Sequence, residues 1–240
     1  MTSGIDEIRR FAESSLGELP EVIGLLAGCD EAAAVEQFNE NIALYLGRDN
    51  IPKKVAALAA MAVAAANGPK ESAVLHYKLA RRFGADPLEV VDALRAAKMA
   101  LMSSTLSAVS DLVGPGDVMD DEAARVLEEF EKKVGPAPAR VRDLARFSKH
   151  LLKEHLRERG ELIFNPRKLE QKYAILIAFA VSVSIRDREC EEVYRKAFLR
   201  NGGREEEYKD AMMIARFVTG NRAFVNGIDI LRSACRPSTG

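Results

Sequence analysis

The 240-residue chain has few of the residues and none of the patterns that usually announce chemistry. Its three cysteines, Cys29, Cys190 and Cys235, form no CxxC and no zinc spacing. Neither a disulfide framework nor a metal site is therefore expected. Cys29 and Cys235 are expected to be small buried apolar residues. Charge of one sign is also missing: 35 basic residues meet 36 acidic ones, a net charge of −1. A nucleic-acid partner would call for a basic surplus, so none is expected. The longest apolar run, Val55 to Ala66, falls well short of the roughly 20 residues a membrane helix needs. The opening "MTSGIDEIRRFAESS" is too polar for a secretory signal. These absences lead us to expect a cytoplasmic protein in a reducing compartment, with no membrane partner. No GxGxxG, P-loop or HExxH occurs, and no cofactor is implied.

What is present is helix-forming sequence. Apolar residues make up 48% of the chain, enough for a proper core. Alanine, leucine, glutamate, lysine and arginine dominate, and no segment alternates with period two. The fold class is therefore all-α. Helices are expected near 3–15, 20–28, 31–46, 52–66, 70–83 and 87–112. A second set is expected near 120–133, 138–146, 147–162, 167–184, 188–201, 204–218 and 221–234. Asp86-Pro87-Leu88-Glu89 reads as a helix start, with Asp as N-cap, Pro first and Glu third. The stretch "GPGD" at 114–117 reads as a linker.

The two helix sets repeat. A shift of 118 residues places Lys54 on Lys172, Leu58 on Leu176, Glu71 on Glu189, Arg82 on Arg200, Gly84 on Gly202 and Asp92 on Asp210. Thirteen of the 40 positions from 54 to 93 are identical without a gap. An internal duplication into units 1–116 and 117–240 explains this register.

Each unit contains a helix such as "LAAMAVAAANG", a short turn, a second helix that in the first unit carries a histidine, and then a stretch such as "GADPLEVVDAL". This arrangement, over residues 52–96 and again 170–214, resembles the carboxymuconolactone decarboxylase and AhpD-like family. The resemblance implies two AhpD-like multi-helix units. The family's peroxidase branch carries a CxxC followed by three residues and a histidine, and a glutamate in the preceding helix. Aligned on its histidine, the pattern puts His76 in place, but Pro69 and Ser72 stand at the cysteine positions and Ala57 at the glutamate. In the second unit Asp187 and Cys190 take the cysteine places, Tyr194 the histidine's and Ile175 the glutamate's. Paired-thiol peroxide reduction needs an attacking and a resolving cysteine, so its chemistry is missing from both units.

The candidate site residues are therefore His76, Ser72, Cys190 and Tyr194. Ser72 and His76 are four residues apart, as are Cys190 and Tyr194, so each pair shares a helix face that should point inward. On its mostly apolar face His76 reads by default as a core residue satisfied by one or two hydrogen bonds; the resemblance implies instead that it acts as an acid/base in decarboxylase or lyase chemistry on a small carboxylate or lactone, with partial burial bringing its pKa near neutrality. Lys98 and its repeat partner Arg216 are candidates to hold a carboxylate. Ser103 and Ser104 are expected to bond back to their own helix. His150 and His155, in a highly charged helix, are expected on the surface. The alternative is a catalytically silent oligomeric binding or scaffold relative, and a weaker one is a peroxidase-like activity through the lone Cys190. The family's single-unit members form rings of identical chains, and helices such as Val55–Ala66 are apolar around most of their circumference. A homo-oligomer is expected, a trimer in preference to a dimer.

Overall fold

The computed structural model describes residues 4–235, which contain fourteen α-helices and no strand. In chain order these are α1 (Ile5–Leu16), α2 (Glu21–Cys29), α3 (Glu31–Asn41), α4 (Lys53–Asn67), α5 (Lys70–Arg82), α6 (Pro87–Thr105), α7 (Ser107–Leu112), α8 (Asp121–Val134), α9 (Ala139–Phe147), α10 (Lys149–Arg159), α11 (Gln171–Ser184), α12 (Arg188–Arg200), α13 (Glu205–Asn226) and α14 (Ile228–Ala234). Among the described residues no helix is long and apolar enough to cross a membrane.

The chain folds into two compact units. One comprises Met1–Asp86 with Glu205–Gly240, the other Pro87–Arg204. Their composition differs from that of the sequence repeats. The last two helices of each repeat, α6 and α7 in the first and α13 and α14 in the second, pack in the unit built otherwise from the opposite repeat.

In the first unit α4 is the central element and packs against α5 and α13. Its alanines let neighbouring backbones approach closely. Every residue from Val55 to Ala64 is at most 3% exposed within the single chain, so this helix needs no second chain to cover it. Beside it, α1, α2, α3 and α14 enclose a smaller core of Ile8, Ile23, Leu26 and Ala34. The second unit repeats the plan, with α11 central against α12 and α6. Its smaller core, around Leu127, Leu144 and Leu152, lies among α7–α10.

A carboxylate fastens the longer helix of each exchanged pair. Asp210 on α13 is wholly buried and accepts from the Arg48 guanidinium (2.7 Å) and the Asn50 backbone N–H (3.1 Å), in the loop leading into α4. Asp92 on α6, its repeat partner, is equally buried and accepts from the backbone N–H groups of Lys168 (2.8 Å) and Leu169 (3.1 Å), in the loop leading into α11. Carboxylates so far from water are tolerated because their bonds are made. Gly84 and Gly202, at φ 83° and 82°, end α5 and α12 in the left-handed conformation that a Cβ disfavours.

Two expectations about helix ends needed correction. The helix expected over 87–112 breaks at Leu106 into α6 and α7. The break expected between 218 and 221 is absent, and α13 runs through Gly220 to Asn226. Packing against α4 and the residues before it outweighs the small helix penalty of one glycine. The ends of α3 and α10 widen into π-helical turns at Ile42–Leu46 and Gly160–Phe164, positions 118 apart.

The cysteines were also misread. Cys29 and Cys235 are not buried apolar residues; they form a disulfide across 206 residues of sequence, joining the end of α2 to the end of α14. No residue of α14 is buried. Its partly buried Leu231 packs against the smaller core, and the disulfide and the Arg232–Glu21 ion pair (2.6 Å) tie the helix to α2.

Candidate functional site

Helix α5 is amphipathic. Ser72, His76, Leu79 and Ala80 face inward, while Val74, Tyr77 and Lys78 face water. The inward face forms one wall of a cavity of about 730 Å³ lined entirely by residues of the first unit. Polar groups enter it from three further directions. Gln37 and Asn41 come from α3, Tyr45 from the π-helical turn that follows it, and Asn221 from the far end of α13. Leu19, Ile23, Leu79, Phe217 and Phe224 supply apolar walls.

His76 and Tyr45 meet edge to face, with ring centroids 5.3 Å apart. The His76 Nδ1 and the Tyr45 hydroxyl oxygen are both buried, and neither has a hydrogen-bond partner. Beside them the Gln37 side-chain amide donates to Asn221 Oδ1 at 2.9 Å. Burial pushes the His76 pKa down to about 4, so the near-neutral titration expected from the sequence does not hold and the imidazole is uncharged at physiological pH. Burial likewise drives the Tyr45 phenol far above its ordinary range, which keeps it a proton-bearing donor. The arrangement provides a neutral base and a hydroxyl donor side by side, in a space large enough for a drug-sized molecule.

The other two predicted residues lie elsewhere. Tyr194 and Cys190 line a cavity of only about 30 Å³ in the second unit. The 118-residue shift explains its size, because the positions of Val22, Asn41 and His76 are taken by the larger Arg140, Arg159 and Tyr194. Arg140 forms a two-pronged pair with Asp187 (2.7 and 2.8 Å) and bonds Glu189 at 2.7 Å. Tyr194 shares a 3.3 Å hydrogen bond with Ser103, so that serine faces the cavity instead of bonding back to its helix. The Cys190 thiol is buried, and burial together with the Asp187 carboxylate raises its pKa far above the ordinary value. A peroxidatic cysteine requires the opposite.

His155 is a further correction. It is buried at 7% exposure and lines the small cavity. Leu152, His155, Leu156 and Arg159 share the inner face of α10, which the charged residues between them obscured in the sequence. His150 is exposed as expected. Lys98 and Arg216 are exposed and line neither cavity. Sequence reasoning missed Tyr45, Gln37 and Asn221. The spacing Gln37–Asn41–Tyr45, four residues each, was the available signal for the first two. Among the described residues no group of three or more His, Cys, Asp or Glu side chains converges to hold a metal ion.

A family model described as the carboxymuconolactone decarboxylase family matches residues 30–112 and, a second time, 151–233. The chain belongs to the carboxymuconolactone decarboxylase family. It is a tandem member, with one match over each helix set. A solved structure from Burkholderia xenovorans LB400, described provisionally as a gamma-carboxymuconolactone decarboxylase subunit, superposes with a TM-score of 0.83 at 17% identity, covering 98% of both chains. At that identity the likeness establishes a shared fold. No curated protein matches. The cavity at His76 is spacious, and at the corresponding place in the second unit bulkier side chains leave only about 30 Å³.

Proposed function

We propose that the protein is a carboxymuconolactone decarboxylase-like enzyme with a single acid/base site, at His76, acting on a lactone or related carbonyl compound. The observation that supports this reading is that His76 and Tyr45, whose Nδ1 and hydroxyl oxygen are buried without a partner, both line the 730 Å³ cavity. Buried polar atoms are ordinarily bonded, and two left open on residues that line one cavity fit a bound substrate. A silent scaffold would pack His76 on all sides. In the proposed reaction the neutral imidazole accepts a proton from the carbon next to a carbonyl, and the Tyr45 hydroxyl bonds the developing enolate oxygen. The buried imidazolium is a strong acid and returns the proton. Where the substrate carries a β-carboxylate, the same hydroxyl stabilises the enolate left by loss of carbon dioxide. Ser72 lies one turn from His76 and serves to position the substrate. Cys190 and Tyr194 take no part, and no cofactor is used.

The test is α-proton exchange into heavy water, together with carbon dioxide release, over a panel of lactones and lactone acids. The wild type should accelerate one of them, and His76→Gln should lose the effect while staying folded. Rates equal to buffer across the panel would refute the reading. We further propose a homo-oligomer, a trimer in preference to a dimer. The exposed stripe Leu88, Val91, Leu94 and Leu101 along α6, each 39–45% exposed, supports such an interface. A monodisperse particle of 26.4 kDa in light scattering would overturn it.

A further inference from the structure

The polar groups inside the cavity are Gln37, Asn41, Tyr45, Ser72, His76 and Asn221. None is a lysine or arginine. The charged residues that line the cavity belong to its exposed rim. Lys78 pairs with Glu18 at 2.8 Å, both side chains 56% exposed. Arg232 is held by Glu21 (2.6 Å) and Asp229 (2.7 Å), with 45% of its side chain exposed. Lys70 and Glu71 are exposed on the first turn of α5. The rim therefore carries four acidic groups, Glu18, Glu21, Glu71 and Asp229, against three basic ones. An anion approaching it meets no net attraction. Once inside, a carboxylate would exchange its hydration for neutral donors and hydrocarbon, which is costly without a cationic partner. A carbonyl oxygen on an apolar body loses little water and gains the bond that the Tyr45 hydroxyl lacks, while Leu19, Ile23, Leu79, Phe217 and Phe224 cover the rest.

We infer that the cavity selects an uncharged, largely hydrocarbon carbonyl compound, such as an alkyl-substituted lactone or ketone, whose oxygen accepts from the Tyr45 hydroxyl beside His76, and that it discriminates against the corresponding acid. The inference rests on the site proposed above and goes beyond it by excluding the carboxylate half of the substrate range.

Binding tests this without any need for turnover. γ-Decalactone and its ring-opened salt, 4-hydroxydecanoate, share one carbon skeleton and differ in charge. Each is titrated into the full-length protein at pH 7 and constant ionic strength, with calorimetry or ligand-detected NMR as the readout. The lactone should bind at least about tenfold more tightly than the salt. Tyr45→Phe should weaken the lactone about fivefold or more and leave the salt unchanged. Equal or tighter binding of the salt overturns the inference. So does failure of the lactone to bind with a dissociation constant below about 1 mM. A lactone that binds as described but is never turned over supports this inference and sinks the catalytic reading of His76, so the two fail separately.

Discussion

Tyr45→Phe should make the ligand-free protein more stable while damaging its binding site. The Tyr45 side chain is among the largest fully buried ones, and its hydroxyl has no partner. A buried hydroxyl without a hydrogen bond carries about 1–3 kcal/mol of uncompensated desolvation. Phenylalanine keeps the ring, its edge-to-face contact with His76 and its packing near Phe217, with centroids 6.2 Å apart, and removes only the stranded oxygen. For a chain of 240 residues the typical unfolding entropy converts each kcal/mol into about 2 °C of melting temperature. The expected result is a rise of about 2–6 °C in a thermal melt of the empty protein, together with a loss of ligand-induced stabilisation. A lower melting temperature for Tyr45→Phe would refute the reasoning, because it would mean that the hydroxyl is already bonded in the resting state and is not held open for a ligand.

Three further outcomes are expected. Replacing Cys29 and Cys235 with serine removes a cross-link spanning 206 residues, worth ~5 kcal/mol on the loop-entropy account of disulfides; urea curves identical with and without a dithiol reductant would contradict this. His76 and His155 both drop from an ordinary pKa of 6.5 to about 4 through burial. The unfolded chain therefore binds their protons first, and stability should fall between pH 6.5 and pH 4 by roughly 3 kcal/mol per histidine; His76→Gln should flatten about half of that slope in urea titrations, and an unchanged slope would count against the burial assigned to it. Cys190, at 5% exposure and held as a thiol, should resist thiol reagents until the protein unfolds and should give no peroxide consumption; rapid labelling of the native protein would show the thiol to be accessible.

Much of the fold was legible because helix composition and a gap-free repeat are local properties. The inward orientation of Ser72, His76, Cys190 and Tyr194 was legible for the same reason: a four-residue spacing on a helix decides which side chains share a face. What escaped depended on distance in the sequence. Nothing in the spacing of Cys29 and Cys235 foretells a contact across 206 residues. Asn221 reaches the Gln37 amide only because α13 continues straight through Gly220, where a local rule predicts a stop. His155 was hidden by its charged neighbours, although the 152–155–156–159 spacing marks an inner face. The fate of the two cavities was also beyond local reasoning, since it turns on the volume of arginine and tyrosine side chains brought in from separate helices.

The exchange of the last helices between repeats sets an order of events during synthesis. The unit Pro87–Arg204 is continuous and can close once α12 has left the ribosome. The unit bearing His76 is interrupted. Its first 86 residues emerge early, yet α13, with Asp210 to latch the loop before α4 and Phe217 and Asn221 to complete the cavity, arrives only near the end. Until then the apolar faces of α4 and α5 are without their final cover. The ligand site is thus the last part of the protein to be assembled, and a chain truncated before α13 keeps His76 but has no cavity to place it in.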